Sequence, residues 1–377
     1  MRWRKEKDFL SFFNEKTGRY FRTGILENGK DTGEDPFMAS FPELLDVGIM
    51  GHCKHGKSGL CIKAGIECYQ DGLHAEQPNM SLEDFRWIAQ QCRGQTYQFA
   101  LGGCGDPDQH EQFEEILKIC RENKIVPNFT TSGLGMTPEI AQLCKEYCGA
   151  VAVSWYRSSY TLRAIQMLLD AGVKTNIHYV LNKHTLEEAI LRLKEQSFPE
   201  GINAVIFLLH KPVGLGTEEN MIRRDNPLLE EFMECIMSET ADFMEQRKNP
   251  FKIGFDSCTV PALLHHPGTI NPDSLDTCEG ARWSAYITPD RKMLPCSFDN
   301  QGQKWAVDLR KHTIKEAWDS AAFEDFRDHF RRACPDCAKR NLCMGGCPIC
   351  PDIVLCSLKK FGRRDGLEIY SRIKQVM

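Results

Sequence analysis

From Leu44 onward the chain alternates short apolar runs with longer amphipathic stretches. The apolar runs are LLDVGIM (44–50), YQFAL (97–101), IVPNFTT (125–131), AVAVSW (150–155), KTNIHYVL (174–181) and AVIFLLH (204–210). Their length and β-branched content predict strands. The stretches between them carry helical spacing. Phe113, Ile116, Leu117 and Cys120 form one i, i+3, i+4, i+7 stripe, and Leu162, Ile165, Leu168 and Leu169 form another. Ser81 with Asp84 reads as a capping box, and Ala171–Gly172 as a helix stop.

Six strand–helix units in a row imply parallel strands with right-handed crossovers. The expected class is α/β, a partial (β/α)6 TIM-like barrel, since eight units are not visible. After FKIGF (251–255) the rhythm fails. The C-terminal part of the chain is loop-rich, with a hairpin-like YITPDRKMLPCSF, a helix near 314–331 and a dense cysteine array. Residues 1–43 are polar and broken by stretches such as ENGKDTGEDP. The expected division is an extension at 1–43, the barrel at 44–255 and a small loop-rich domain at 256–377.

Length and composition narrow the function class. A chain of 377 residues with 42% hydrophobic and 26% charged residues has the material for one large domain and a smaller one. A net charge of −5 argues against a nucleic-acid partner gripped by a basic face. No apolar run reaches the roughly 18 residues of a membrane span, so no membrane partner is expected. The start, MRWRKEKDFL, lacks a signal-peptide core. The eighteen cysteines are then expected to be reduced, in the cytoplasm, so metal binding outranks disulfides.

Between Cys334 and Cys356 the spacing is C-x2-C-x5-C-x3-C-x8-C, through Cys337, Cys343 and Cys347, with Cys350 inside the last gap. Cys278 and Cys296 precede it. Four thiolates hold either tetrahedral zinc or an iron–sulfur cluster. An isolated CxxC…CxxC would favour a zinc ribbon; the x5 and x3 gaps and the upstream pair favour iron–sulfur. A second group, Cys53, Cys61 and Cys68, lies in GHCKHGKSGLCIKAGIECYQDG, directly after the first strand. Its alternatives are that one cysteine is no ligand, or that zinc sits there with His52 or His55. The second strand runs into LGGCGDPDQ, where glycines let a backbone approach a ligand closely. By itself such a loop is also a tight turn or a phosphate cradle. Cys92, Cys120, Cys144, Cys148 and Cys235 fall at apolar helical positions and read as small core residues. His265–His266 and the basic pieces KKFGRR and FRRACP read as surface, although the basic pieces would suit an acidic peptide leader.

The C-terminal array resembles the SPASM domain of radical SAM peptide-modifying enzymes. That resemblance implies one auxiliary 4Fe–4S cluster on Cys334, Cys337, Cys343 and Cys356, and another on Cys278, Cys296 and Cys347. Cys258, in GFDSC, is the candidate fourth ligand of the latter, with substrate or solvent as its rival; Cys350 is a spare or an alternative to Cys356. Where the family has Gly five residues before the second cysteine, this chain has Arg291. Radical SAM enzymes place C-x3-C-x2-C after the first strand, whereas here the gaps are x7 and x6, with Tyr69 after the third cysteine. Three thiolates leave one iron for the amino and carboxylate groups of S-adenosylmethionine (SAM), whose cleavage gives a 5′-deoxyadenosyl radical. Gly102, Gly103 and Asp106 resemble the family's GGE motif, and Ser132 lies in TTSG, similar to its TTNG-type segment. Ser154, Asn176 and LLHKPVGLG (208–216) resemble positions near SAM on strands four, five and six, at C-terminal strand ends except for Asn176.

The implied function is a radical SAM peptide maturase that abstracts hydrogen from a ribosomally made precursor peptide and forms a cross-link or a related modification. Implied cofactors are SAM and three 4Fe–4S clusters, one binding SAM and two auxiliary. Implied partners are the precursor peptide and an electron donor such as flavodoxin or ferredoxin. The alternatives are protein oxidation of the anaerobic sulfatase-maturing type, or a non-catalytic zinc or iron–sulfur binding protein. No catalytic base stands out.

Overall fold

The structure is a computed structural model, and it describes residues 1–238, 250–265, 275–353 and 355–356. His266 and KKFGRR (359–364) lie outside the described residues. The chain opens with β1 (Arg2–Lys5), β2 (Leu10–Phe13), β3 (Tyr20–Arg22) and the two-residue strands β4 (Leu26–Glu27) and β5 (Lys30–Asp31). Then come β6 (Leu44–Met50), α1 (Lys54–Ser58), α2 (Leu60–Lys63), α3 (Leu82–Cys92), β7 (Gln98–Gly103), α4 (Phe113–Glu122) and β8 (Val126–Thr131). They continue through α5 (Pro138–Tyr147), β9 (Val151–Ser154), α6 (Ser159–Asp170), β10 (Thr175–Leu181), α7 (Leu186–Glu195) and β11 (Ala204–Leu209). The remainder is α8 (Pro227–Ser238), β12 (Lys252–Phe255), α9 (Val260–His265), β13 (Ser284–Ile287), β14 (Lys292–Leu294), β15 (Val307–Asp308), α10 (Ile314–Trp318), α11 (Ala321–Arg332) and α12 (Arg340–Cys343).

Two compact units emerge. The first comprises Met1–His178, Val213–Leu215 and Glu279–Glu324. Its sheet runs β15-β14-β13-β6-β7-β8-β9 and then the first half of β10. The strands from β13 to β10 are parallel, with Asp46 opposite both Ala100 and Tyr286, and Ser154 opposite His178. Alternation explains the packing. Leu45, Val47 and Ile49 are fully buried on one face of β6. On that side of the sheet, Phe85 of α3 packs edge-on against Phe99 and Phe113 of α4 against Phe129. The opposite face carries Asp46, Gly48, Ala100, Gly102, Asn128, Thr130, Ser154, Asn176 and His178. A packed barrel interior is filled by branched apolar side chains. Small and polar residues here leave room for a ligand.

The six predicted strands lie within one or two residues of their expected bounds. Ser81 Oγ accepts from the Asp84 amide at 3.1 Å, and Gly172 takes φ +73° at the end of α6. Three features differ from expectation. β13 forms the expected hairpin with β14, yet it also pairs in parallel with β6. The helix near 314–331 is two helices, α10 and α11, broken at 319–320. The polar N-terminal stretch is structured. β1, β2 and β3 form an antiparallel sheet whose Phe13 and Tyr20 pack on Tyr97, and Arg4 donates to the Phe41 carbonyl at 2.9 Å.

In the second unit, Tyr179–Pro212, Gly216–Cys278 and the residues from Asp325, β11 lies between the second half of β10 and β12. FKIGF therefore supplies a seventh strand, parallel to β11 with Ala204 opposite Lys252. No helix among the described residues is long and apolar enough to cross a membrane.

Candidate active site

The cysteine loop hangs from the C-terminal end of β6, and its long spacing resolves into two short helices. Cys53 caps α1 with its own sulfur, which accepts from the Gly56 amide at 3.1 Å. Gly59, at φ +71°, ends α1 and starts α2, an αL junction that glycine adopts without strain. This fold-back buries Cys61 with its thiol 3.9 Å from the His55 carbonyl. Cys68 Sγ accepts from the Gly72 amide at 3.5 Å. A side chain at Gly72 would press on Cys53, with a Cβ 3.0 Å from Cys53 Cβ and 3.5 Å from its sulfur. The 213–215 segment closes over the loop, with the Leu215 amide donating to the Cys68 carbonyl at 2.9 Å.

The thiols sense one another. Burial pushes Cys53 up to about 11, with the charges of Asp106 and Cys68 adding to it. Cys68 is also raised, by burial and then by Cys61 and Asp71. Among the described residues no three His, Cys, Asp or Glu side chains stand at metal-holding distance. The fit to a cluster rests on the donor set: three neighbouring thiols, two of which, Cys53 and Cys68, accept backbone N–H bonds and have their ionisation opposed by burial. A cationic iron–sulfide core would reverse that penalty and deprotonate them.

The two glycines at the end of β7 have different roles. A Cβ on Gly103, at φ +106°, would lie 2.3 Å from the Met50 carbonyl, so the backbone crossing itself requires glycine. A Cβ on Gly102 would meet nothing within 4 Å. Gly102 faces open space, and three residues on, Gly105 packs against His52 and Cys53 of the cysteine loop. Asp106 is committed to Ser132, accepting from its amide at 2.7 Å and its hydroxyl at 2.5 Å. Burial raises the Asp106 pKa against the pull of those bonds. Ser154 ends β9, and Asn176 is the second residue of β10, two residues below the level of Ser154. Tyr69 is more than a third exposed and lies 4.8 Å, ring to ring, from Phe298.

Further residues line this region, among them His55, the alternative zinc ligand of the cysteine loop. His55 is buried, stacks on Tyr156 at 5.4 Å and meets the Tyr160 hydroxyl at 2.8 Å. Burial lowers its pKa, against the charge of Asp106. His178 meets Thr130 at 3.2 Å. Its place two residues after Asn176 puts it on the same strand face, the one signal the sequence offered. Cys104, between the glycines and Asp106, donates to the Gln70 carbonyl at 3.0 Å. Deeper along β6, burial and the charge of Glu279 push Asp46 up to about 7. The Tyr286 hydroxyl reaches over Gly48, where a Cβ would lie 2.6 Å from it.

The second unit gathers further thiols. Burial raises Cys334, Cys343 and Cys356, the last two up to about 11, and the charge of Cys337 adds to each. The Thr277 hydroxyl pins the Cys343 carbonyl at 2.9 Å. Separately, Cys258 hydrogen-bonds Cys347, which together with burial raises the Cys258 pKa. The Cys350 amide donates to Cys347 Sγ at 3.3 Å. Cys278 is half-buried at the end of a segment of this unit, and Cys296, in the first unit, precedes a short 3-10 turn at Ser297–Asp299. Of the cysteines read as core, Cys92, Cys120 and Cys144 are buried, while Cys148 and Cys235 are half-buried.

Comparison with known proteins bears on the fold and on one domain. Residues 278–339 match the SPASM family, an iron–sulfur cluster-binding domain. The structure is similar to Streptococcus suis SuiB bound to S-adenosylmethionine, with a TM-score of 0.62 and 16% identity over 83% of this chain and 74% of that one. SuiB bound to its precursor peptide SuiA gives 0.62 and 15%, over 83% and 73%. Native anSMEcpe with bound AdoMet and the Cp18Cys peptide gives 0.58 and 17%, over 88% and 98%. The chain has a mostly parallel α/β fold similar to that of SuiB and anSMEcpe, and its residues 278–339 form a SPASM iron–sulfur cluster-binding domain.

Proposed function

We propose that this chain is a radical SAM enzyme that modifies a ribosomally made peptide. The observation that supports the reading best is the close approach of the segment after β7 to the cysteine loop, with Gly105 against His52 and Cys53, Asp106 as an electrostatic neighbour of Cys53, and open space at Gly102. In this reading the three thiolates hold a 4Fe–4S cluster with one iron left for SAM. When bound, that cluster supplies the electron that splits SAM into methionine and a 5′-deoxyadenosyl radical.

The protein's part is to bind and orient. Gly102 leaves room for the methionine end, and Gly103 lets the strand cross β6 closely enough to place it. Asp106, held by Ser132, fixes the loop below. Ser154, Asn176 and Tyr69 are polar contacts for the remainder of SAM. The residues at 44–255 serve this chemistry and those at 256–377 serve two auxiliary clusters. One would take Cys334, Cys337, Cys343 and Cys356, the other Cys258, Cys278, Cys296 and Cys347. The substrate is a precursor peptide, as SuiB binds SuiA, and a flavodoxin or ferredoxin in the cytoplasm supplies electrons.

A second reading is oxidation of a protein side chain of the sulfatase-maturing type. It is favoured by the likeness to anSMEcpe bound to AdoMet and peptide, which spans 98% of that chain. One experiment series tests both. Anaerobically reconstituted protein is expected to bind about twelve irons for three cubanes and to release 5′-deoxyadenosine from SAM. Replacing Cys53, Cys61 and Cys68 with Ala abolishes that release. Mass spectrometry of a neighbouring short peptide, co-expressed with the enzyme, then separates a cross-link from a formylglycine-type oxidation. Zinc in place of iron, or deoxyadenosine formation surviving in the triple variant, overturns the proposal.

A further inference from the structure

Beyond the thiols, the second unit buries a lysine. Lys211 follows β11, and its side chain is only 2% exposed. Its ammonium donates to the Leu209 carbonyl at 2.8 Å and to Asp256 Oδ2 at 2.7 Å. A buried ion pair is no cheap way to hold a fold, because desolvation offsets most of its attraction and apolar residues of similar volume serve as well. Its retention calls for another use of the charge.

The partners of Asp256 show where that charge is aimed. Oδ2 also accepts from the Leu209 amide at 3.1 Å, while Oδ1 accepts from Thr259 through its amide at 3.2 Å and its hydroxyl at 2.8 Å. One carboxylate thus ties the end of β11 to the 3-10 turn Ser257–Thr259 that bears Cys258. Lys211, locked to the same carboxylate, has Cys258 and Cys347 as its next electrostatic neighbours, and those two thiols hydrogen-bond each other. The lysine therefore stands as a fixed positive charge beside a thiol pair, held out of water where screening is weak.

We propose that Lys211 is a positioning residue that sets the reduction potential of the auxiliary cluster on Cys258 and Cys347. This rests on the reading of those cysteines as ligands. The step involved is one-electron transfer with no bond made or broken in the cluster's protein shell. A peptide radical left by hydrogen-atom abstraction would lose one electron and one proton on closing its new bond; a 4Fe–4S cluster held by these cysteines would take the electron, and solvent the proton. Reduction adds negative charge to an already anionic thiolate cluster, and a buried ammonium stabilises that extra charge, raising the potential. Asp256 acts in the opposite direction, so the pair behaves as an oriented dipole.

The test is an EPR-monitored redox titration of the anaerobically reconstituted full chain, with Cys53, Cys61 and Cys68 replaced by Ala to leave only the auxiliary signals. Lys211→Met is expected to shift one auxiliary midpoint to more negative potential, and Asp256→Asn to shift it to more positive potential. Lys211→Arg, which keeps the charge, leaves it in place, and the Lys211→Met/Asp256→Asn pair returns it toward the parent value. An unchanged midpoint in iron-replete Lys211→Met overturns the proposal. Should Lys211→Met fail to retain iron, Asp256→Asn decides by the sign of its shift, and a negative or absent shift also overturns it. The underlying ligand reading is tested apart: Cys258→Ser and Cys347→Ser must each abolish one auxiliary signal and lose about four irons.

Discussion

Arg291 Nη1 donates to Asp84 Oδ1 at 2.9 Å, joining the β13–β14 turn to the first turn of α3. Arg291 holds φ +63°, the left-handed conformation that the family's usual glycine adopts freely. Its side chain offsets the strain by three contacts: Asp84, the Leu309 carbonyl at 2.9 Å and the Trp87 ring, 4.1 Å from the guanidinium. Arg291→Ala removes the contacts and keeps the strain, whereas Arg291→Gly removes both. Alanine is therefore expected to destabilise more than glycine, by about 1 kcal/mol. Urea denaturation of the two variants checks the order, and glycine faring worse would show that strain at this turn is negligible.

Gly102 and Gly103 separate fold from function within two adjacent positions. Gly103→Ala places a Cβ 2.3 Å from the Met50 carbonyl at φ +106°. It is expected to cost more than about 4 kcal/mol and to deplete soluble protein. Gly102→Ala enters open space, so its effect on stability stays within about 0.5 kcal/mol. The same methyl stands where the SAM methionine end is proposed to lie, and it is expected to raise the SAM requirement for deoxyadenosine formation. Melting temperature and SAM titration, run on both variants, distinguish the two roles.

Asp106 and Ser132 are a pair that the motifs read separately. Both carboxylate oxygens of Asp106 are engaged by Ser132. Ser132→Ala removes the hydroxyl bond and leaves the amide bond, while Asp106→Ala removes both. As supports of the loop beside the cysteines, such partners typically change activity or metal affinity by about 10- to 100-fold. Asp106→Ala is expected at the upper end and Ser132→Ala at the lower, measured as the initial rate of deoxyadenosine formation at equal iron content. Equal rates in both variants and the parent would remove the pair from the SAM site.

Much of this arrangement was legible from spacing alone, where the signal was local. The barrel strands announced themselves because each buries alternating or continuous apolar residues, and Ser81 signalled a helix start through its reach to Asp84. What was not legible depends on distant partners. SAYI in β13 is four residues long, and nothing local says that it pairs with LLDVGIM some 240 positions earlier. Likewise, an x7 gap between cysteines does not reveal two short helices; Gly59 is a turn residue in either case. His55, Tyr156 and Tyr160 carry no spacing pattern, so only the folded chain brings them together.

The first unit also makes stability depend on pH through two buried carboxyls. Asp46 is pushed up to about 7 by burial and the charge of Glu279. Asp108 is likewise raised to about 7, by burial and then by the charge of Asp106. In the unfolded chain both titrate near the ordinary aspartate value of about 3.9. Between those values the native state holds protons that the unfolded state has already released. Stability is therefore fully present below about pH 4 as far as these groups are concerned, and it declines as pH rises toward 7. Asp46→Asn and Asp108→Asn carry no titrating proton and are each expected to flatten that decline. Thermal melts of the as-isolated protein from pH 5 to pH 8 measure the slope. A parent protein whose Tm rises across the window, with no difference in the Asn variants, would mean that these carboxyls are ionised in the native state and find compensation elsewhere.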